Sequence, residues 1–140
     1  MQSPSFILQL KRRAPRGFTL IELTAACALV AILVILALPS YQAQVRKSKR
    51  ASAESHLMDI AARQQQYLFN SRGYAPDLAA LSMTTPNDVA AAYTITIAAT
   101  NGAPPTFTVT ATPKTSQAPD LGGAALTIDN AGAKTPGGAW

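Results

Sequence analysis

The sequence contains very few residues of the kinds that bind metals or form covalent cross-links. Among its 140 residues it has one cysteine, Cys27, and one histidine, His56. A disulfide within the chain needs two cysteines, and a structural zinc site needs several Cys or His ligands, so both are excluded. No nucleophile, base and orienting residue stand out as a catalytic set either. We therefore predict no metal site, no cofactor and no enzymatic activity.

Acidic residues are also scarce, and they are absent from the start of the chain. The sequence has 12 Lys and Arg against 7 Asp and Glu, a formal net charge of +5. Four of the basic residues lie in the first 17 positions, which contain no acid: Lys11, Arg12, Arg13 and Arg16. Without them the balance is nearly even, so the basic charge of the whole chain does not by itself indicate a nucleic-acid partner.

A long apolar run follows this basic start. Residues 18–38 are apolar or small except for Thr19, Glu22 and Thr24. As a helix, 21 residues at about 1.5 Å each extend about 31 Å, which matches a hydrocarbon core of about 30 Å. A secretory signal peptide has a shorter apolar part of about 7–15 residues and ends at a small-residue cleavage site. This run instead ends before Pro39, so we interpret it as a transmembrane helix.

The helical pattern continues beyond the apolar run. One face of residues 39–70 carries residues at spacings of three and four, namely Ala53, Leu57, Ile60, Ala61, Gln64 and Leu68. This spacing predicts an amphipathic continuation of the membrane helix, so that one helix covers residues 18–70. Gly73 is suited to a left-handed conformation and is expected to end it. His56 is expected to be a solvated residue of this helix.

The last part of the chain has the pattern of strands. Residues 93–97 and 106–112 alternate apolar residues with threonine, and residues 101–105 between them contain an Asn-Gly turn signal. A third strand is expected at residues 125–129, followed by an irregular tail. The predicted fold class is therefore α+β, a long helix packed on a small antiparallel sheet. We divide the chain into a leader at 1–17, an apolar helix at 18–38, an amphipathic half at 39–70 and a globular head at 71–140.

The segment GFTLIEL at residues 17–23 resembles the signal of type IV prepilins of class III. The resemblance rests on the glycine, the aromatic residue after it, and the lone acid within an unbroken apolar run. It implies that a prepilin peptidase cleaves after Gly17 and N-methylates Phe18. It also implies a cytoplasmic N-terminus and a periplasmic head.

Weaker similarity to the PilE-type minor pilins extends along most of the chain. It is carried by short segments such as QQY at 65–67, YA at 74–75 and LTI at 126–128, and by the final Trp140. The family usually has two cysteines where this chain has Gly123 and Ala139, so we expect a looser C-terminal loop here unless packing replaces the disulfide.

The function implied by this resemblance is structural. The chain is expected to be a minor pilin that is incorporated into or primes a type IV pilus used in adhesion and twitching motility. Its implied partners are other pilin subunits, the membrane, and the assembly platform and ATPase of the inner membrane. It would lie in a bacterial inner membrane before assembly and in the surface pilus afterwards. Two alternatives remain, a pseudopilin of type II secretion and a DNA-uptake or adhesive minor pilin.

Two residues of the apolar run and its end are candidates for assembly. An acid in mid-membrane costs about 2.5–3.5 kcal/mol on insertion scales, so Glu22 is expected to have a partner. The resemblance implies that the partner is the N-terminal amine of Phe18 in a neighbouring subunit. Pro39 removes one hydrogen bond of the helix and is expected to kink it, at a place where it could also melt during assembly.

A cluster of cations follows the membrane segment, consisting of Arg46, Lys47, Lys49 and Arg50. We predict that it contacts anionic lipid headgroups before assembly, or acidic neighbouring subunits after it. DNA is the less favoured partner, because no aromatic residues are interleaved with these cations. Asp120 and Asp129 are not accompanied by enough nearby oxygen ligands to predict a calcium site. Cys27 is interpreted as a small apolar residue of the membrane helix.

Overall fold

A computed structural model describes residues 17–140 of the chain. These residues belong to two units, one that ends at Leu38 and one that comprises Pro39–Trp140, and each is described by itself. The helix α1 (Leu20–Ser71) contributes to both units. It begins two residues later and ends one residue later than the sequence predicts. The predicted leader, apart from Gly17, lies outside the described residues.

The first unit consists of the apolar start of α1. Its large side chains are exposed, from Ile21 at 75% to Leu38 at 51%. Of the helices in residues 17–140, α1 is the one that is long and apolar enough to cross a membrane. The helix continues through Pro39. The kink predicted at this proline stays a prediction.

The amphipathic half of α1 buries one face in the second unit. Its buried residues are Ala53, His56, Leu57, Ile60 and Gln64. The prediction of a solvated His56 was wrong, because His56 is only 6% exposed. It lies three residues after Ala53 and four before Ile60, which places it on the buried face.

The end of α1 differs in detail from the expectation. The residue with the left-handed backbone is Arg72, with φ of 56°, and its amide donates a hydrogen bond of 2.9 Å to the carbonyl of Leu68. Gly73 is needed for another reason, since a Cβ there would lie 2.9 Å from Oδ1 of Asn101. The same Oδ1 accepts a hydrogen bond of 2.7 Å from the amide of Tyr74. The chain after α1 is thereby fixed to the turn between the first two strands.

The head contains a short helix and four antiparallel strands, in the spatial order β1-β2-β3-β4. Their bounds are α2 (Asn87–Ala92), β1 (Tyr93–Thr100), β2 (Thr106–Pro113), β3 (Leu126–Asp129) and β4 (Lys134–Thr135). The first three strands confirm the prediction to within a few residues. The fourth was missed because two residues carry no alternating pattern, and α2 because six residues make fewer than two helical turns.

The core lies between the buried face of α1 and one face of the sheet. Phe107 and Val109 of β2 and Leu126 of β3 point into it and are at most 2% exposed. Tyr74 packs edge-on against Phe107, with ring centroids 4.6 Å apart. The predicted fold class, a long helix packed on a small antiparallel sheet, is confirmed.

Candidate functional site

The start of α1 carries the predicted processing and assembly residues. Gly17 and Phe18 precede the helix and have no regular secondary structure, and Phe18 is 85% exposed. Thr19 and Glu22 form a reciprocal cap. The Glu22 amide donates to Oγ1 of Thr19 at 3.3 Å, and Oε2 of Glu22 accepts from the amide and the hydroxyl of Thr19 at 3.0 and 2.9 Å.

This arrangement is a capping box, in which a Thr at the helix start and a Glu three residues later satisfy each other's backbone amides. The sequence reads Thr-Leu-Ile-Glu at this place, so the signal was present and was overlooked. Within one chain, the Glu22 carboxylate therefore already has hydrogen-bond donors. A partner in another subunit would have to replace them.

The predicted cationic cluster is divided by the structure. Arg50 is turned towards the head and makes two ion pairs, with Nε 3.3 Å from Oε1 of Glu54 and Nη1 3.2 Å from Oδ2 of Asp120. The side chains of Arg50 and Asp120 are only 20% and 7% exposed. Arg50 thus connects α1 with the segment after β2, and its expected contact with an external anion is not supported by its position.

The other cations of the cluster lie differently. Arg46 and Lys49 line an open groove between α1 and the turn after β2, and Lys47 is exposed outside it. The groove is lined by Tyr41, Gln42, Val45, Arg46, Lys49, Ser116 and Gln117. Gln117 is 1% exposed and donates from Nε2 to the main-chain carbonyl of Arg46 at 2.8 Å. This bond fixes one wall of the groove to the other.

Burial changes the titration of three groups in the head. It raises the pKa of Glu54, an effect that the positive charge of Arg50 opposes. It also raises the pKa of Tyr93, and a hydrogen bond from Gln117 opposes this shift. Burial lowers the pKa of His56, against the charges of Asp59 and Asp88. Nε2 of His56 is buried and has no hydrogen-bond partner among the described residues.

The two aspartates considered for calcium have other contacts. Oδ2 of Asp120 is held by Arg50, and Oδ1 of Asp129 accepts from the amides of Ala131 and Ala133 at 2.9 and 2.8 Å. Within residues 17–140, no three His, Cys, Asp or Glu residues come together as a metal site would require. Asp120 and Asp129 thus stabilise the head, one by an ion pair and one by closing a turn.

The C-terminal segment is held by noncovalent contacts. Ala139 is 8% exposed and belongs to the core. Nε1 of Trp140 donates to the carbonyl of Thr135 at 3.1 Å, and Nζ of Lys134 lies 4.7 Å from the centre of the indole ring. Packing thus holds Ala139 in the core, whereas Gly123 is exposed and a Cβ there would meet no described atom within 4 Å.

Two family models and a solved structure match this architecture. Residues 12–38 match a model of the prokaryotic N-terminal methylation motif. Residues 39–124 match the model of a family described as "Type IV minor pilin ComP, DNA uptake sequence receptor". A type IV pilin from Shewanella oneidensis has a similar structure, with a TM-score of 0.55 and 20% sequence identity, over 68% of this chain and 97% of that one. At this identity the structural likeness supports the fold alone.

The motif and the family match also indicate how the subunit is processed and where it is located. The signal and the apolar start of α1 indicate a precursor that is anchored in a membrane and then enters a pilus. Its partners include a prepilin peptidase and other pilin subunits. The chain belongs to the ComP family of type IV minor pilins and is a structural pilin subunit.

Proposed function

We propose that this minor pilin is cleaved after Gly17, methylated on Phe18 and then incorporated into a type IV pilus or used to prime it. The observation that carries the proposal is the apolar start of α1. Its side chains are exposed over residues 18–38, and Glu22 is the one acid among them. Such an apolar surface contacts lipid before assembly and packs against the helices of other subunits after it.

A change in the hydrogen-bond partner of Glu22, from Thr19 to the amine of another subunit, would align successive subunits. Cleavage after Gly17 creates a positive amine on Phe18. In a low-dielectric environment a carboxylate gains more from a full positive charge than from the neutral donors of Thr19. An amine that arrives from a neighbouring Phe18 therefore displaces the capping box and sets the register between subunits. Such a contact joins different surfaces of successive subunits, and a filament grows from it when the rotation between subunits does not close into a ring.

Pro39 and the membrane topology complete the proposed route. The N-terminus faces the cytoplasm and the head faces the periplasm while the subunit waits in the inner membrane. An assembly platform and its ATPase then extract it. Pro39 lacks the amide that would donate to the carbonyl four residues earlier, so the helix is weakest there and bends or melts at that point during extraction.

The test is mass spectrometry of surface filaments sheared from cells that produce this chain. We expect a chain that begins at N-methylated Phe18. A processed chain found only in the inner membrane would contradict incorporation and favour a priming role or a pseudopilin of type II secretion. A chain with intact Met1 would contradict processing itself.

We also propose a second function, binding of double-stranded DNA during uptake. The match of residues 39–124 to a family described as a DNA uptake sequence receptor favours it. Three cations of the cluster, Arg46, Lys47 and Lys49, make no ion pair within residues 17–140, so no carboxylate of the described residues competes with phosphates for them. The absence of interleaved aromatic residues argues against stacking on unpaired bases, and it is compatible with contacts to the backbone of a duplex.

DNA binding is tested by fluorescence anisotropy of a labelled duplex, with the processed full-length chain in detergent. We expect affinity to fall steeply between about 50 and 200 mM salt, and the Lys47→Gln variant to lower the slope of log affinity against log salt by about one. Arg63→Gln removes one exposed charge farther along α1 and is the matched control. A salt-independent affinity would contradict the proposal. A loss of DNA affinity in Arg63→Gln alone would indicate that DNA contacts the end of α1 and not the cationic cluster.

A further inference from the structure

The groove between α1 and the turn after β2 has the chemistry of a site for one phosphate group. We propose that it binds the headgroup of an anionic phospholipid while the subunit lies in the membrane. We call it the basal groove, and its polar lining is formed by Tyr41, Gln42, Arg46, Lys49, Ser116 and Gln117. It encloses about 250 Å³, and it belongs entirely to the unit that begins at Pro39. The proposal does not depend on DNA binding.

The charges of the basal groove are uncompensated. Arg46 and Lys49 make no ion pair among the described residues, and no acidic side chain lines the groove. The neighbouring Arg50 differs, because Glu54 and Asp120 neutralise it. Arg46 and Lys49 are three residues apart on a helix, so their side chains emerge on the same face. Arg46 and Lys49 are thus available to an external anion, whereas Arg50 is already paired with two carboxylates.

The donors of the groove suit a phosphodiester. A guanidinium donates two parallel hydrogen bonds to two phosphate oxygens, and an ammonium adds a compact charge. The hydroxyl of Ser116 and the phenol of Tyr41 are further donors at its edge. The groove is also partly fixed in shape, since Gln117 is buried and bonded to the carbonyl of Arg46 at 2.8 Å. A preformed wall lowers the entropy cost of binding.

Along α1 the residues of the groove begin at the headgroup layer, which is about 5–8 Å thick on each side of the membrane, and continue just beyond it. Tyr41 follows Leu38 by three residues and Lys49 by eleven, which corresponds to about 4.5 and 16 Å of helix. Tyr41 is 71% exposed, and tyrosine is enriched at the interface between membrane and water. The Cα–Cβ bonds of a helix tilt towards its N-terminus, so long cationic side chains at positions 46 and 49 can extend towards that layer. A phospholipid phosphate is therefore the anion nearest to the groove before assembly.

A duplex fits these observations less well. The groove has room for one headgroup, whereas DNA presents regularly spaced phosphates along a rod and is bound by extended rows of cations. Bound lipid would hold the head at a defined depth, and extraction into the filament would require its release. The groove would then be a retention site for the subunit in the membrane.

The experiment is native mass spectrometry of the processed full-length chain released from nanodiscs of phosphatidylcholine and phosphatidylglycerol in equal amounts. We expect the natural chain to retain phosphatidylglycerol preferentially. In the Arg46→Gln, Lys49→Gln double variant we expect this preference to fall by about tenfold or more, given the combined effect of two basic residues near anionic lipid. Arg63→Gln, Arg72→Gln removes the same charge from two exposed positions outside the groove and is expected to behave like the natural chain.

Three results would overturn the proposal. The natural chain could retain both lipids equally, or the control variant could lose the preference as strongly as the groove variant, which would indicate diffuse attraction. The groove variant could also retain phosphatidylglycerol normally while losing binding of a DNA duplex, which would assign the groove to DNA. Circular dichroism of each variant checks that α1 and the sheet are intact. Incorporation into filaments is a separate readout, so failure here is distinguishable from failure of the pilus function.

Discussion

Nη1 of Arg50 lies 3.2 Å from Oδ2 of Asp120, a residue 70 positions later in the chain. This ion pair fixes the segment between β2 and β3 to α1. The hydrogen bond from Gln117 to the carbonyl of Arg46 lies beside it and acts in the same direction. The head therefore holds this segment by polar contacts with α1, in addition to the packing of its apolar residues.

We predict that the two partners of this ion pair contribute unequally to stability. Arg50→Gln leaves two poorly exposed carboxylates, Glu54 and Asp120, without their cation, whereas Asp120→Asn leaves Arg50 paired with Glu54. We expect a loss of about 2–4 kcal/mol in the free energy of unfolding for Arg50→Gln and about 1–2 kcal/mol for Asp120→Asn. Urea unfolding of the full-length chain in detergent measures both values.

The exposed Arg63 provides the control for this comparison. Among residues 17–140 its side chain donates a hydrogen bond only to Gln66 on its own helix, so Arg63→Gln is expected to change stability by less than about 0.5 kcal/mol. A loss for Asp120→Asn that equals or exceeds the loss for Arg50→Gln would show that Glu54 gains nothing from Arg50.

Buried His56 is expected to make stability depend on pH. Its pKa is lowered by burial from the ordinary value of 6.5, so below about pH 6.5 the unfolded chain binds more protons than the folded chain. Stability is thus complete above pH 6.5 and falls as pH decreases towards the lowered pKa. Glu54 acts in the opposite direction, since its pKa is raised and acidification favours the folded state.

The variant His56→Met isolates the contribution of the histidine. We expect the natural chain to lose more unfolding free energy between pH 7.5 and 5.5 than this variant loses, because methionine does not titrate. Equal losses in the two chains would mean that Asp59 and Asp88 compensate the charged imidazole fully.

The sequence predicts the periodic parts of this molecule and fails where single contacts decide. The apolar run is long, and apolar residues recur at regular spacings along α1, β1 and β2. The α+β class and the long helix therefore follow from the sequence pattern alone. The role of Arg50 does not, because its partner Asp120 is 70 residues away and no local signal connects them. Burial of His56 was visible in the spacing but was outweighed by its polarity. The Thr19 and Glu22 cap was missed because the partner of Glu22 was expected in another subunit.

Gly17 is predicted to matter for the peptidase and not for the fold. A Cβ at Gly17 would meet no atom of residues 17–140 within 4 Å, so Gly17→Val introduces no clash with them. We expect this variant to accumulate as uncleaved precursor, which the mass of the membrane-bound chain reveals. Gly102→Val is the matched control, because a Cβ there also meets nothing within 4 Å. Normal maturation of Gly17→Val would refute the processing site.

The two roles of Glu22 are predicted to separate on substitution. Glu22→Gln keeps an oxygen that accepts from Thr19 but removes the charge, and we expect it to reduce incorporation into filaments by about tenfold or more, because the amine of Phe18 loses its counter-ion. Thr19→Ala removes the capping hydroxyl at a cost of about 1 kcal/mol and leaves the charge. Its incorporation, quantified by mass spectrometry of sheared filaments, is expected to stay near normal. Equal losses for both variants would indicate that the helix start, not the charge, is what assembly needs.

Restoring the missing cysteine pair is predicted to stabilise the head less than a disulfide usually does. A bridge that closes a loop of about 17 residues contributes about 3 kcal/mol in the chain-entropy model. Gly123, however, has φ of 82°, and a residue with a Cβ costs about 1–2 kcal/mol in that conformation. Ala139 is 8% exposed, so a sulfur there must also fit into a packed core.

The measurement compares Gly123→Cys, Ala139→Cys in its oxidised and reduced forms with Gly123→Ala, all in a Cys27→Ala background so that a single disulfide can form. We expect Gly123→Ala to lose about 1–2 kcal/mol, and the oxidised double variant to gain about 1 kcal/mol over the parent chain. A gain of the full 3 kcal/mol would mean that the backbone at residue 123 relaxes without cost. The smaller gain would show that the left-handed turn at Gly123 and the packed Ala139 favour residues that a cysteine does not replace without cost.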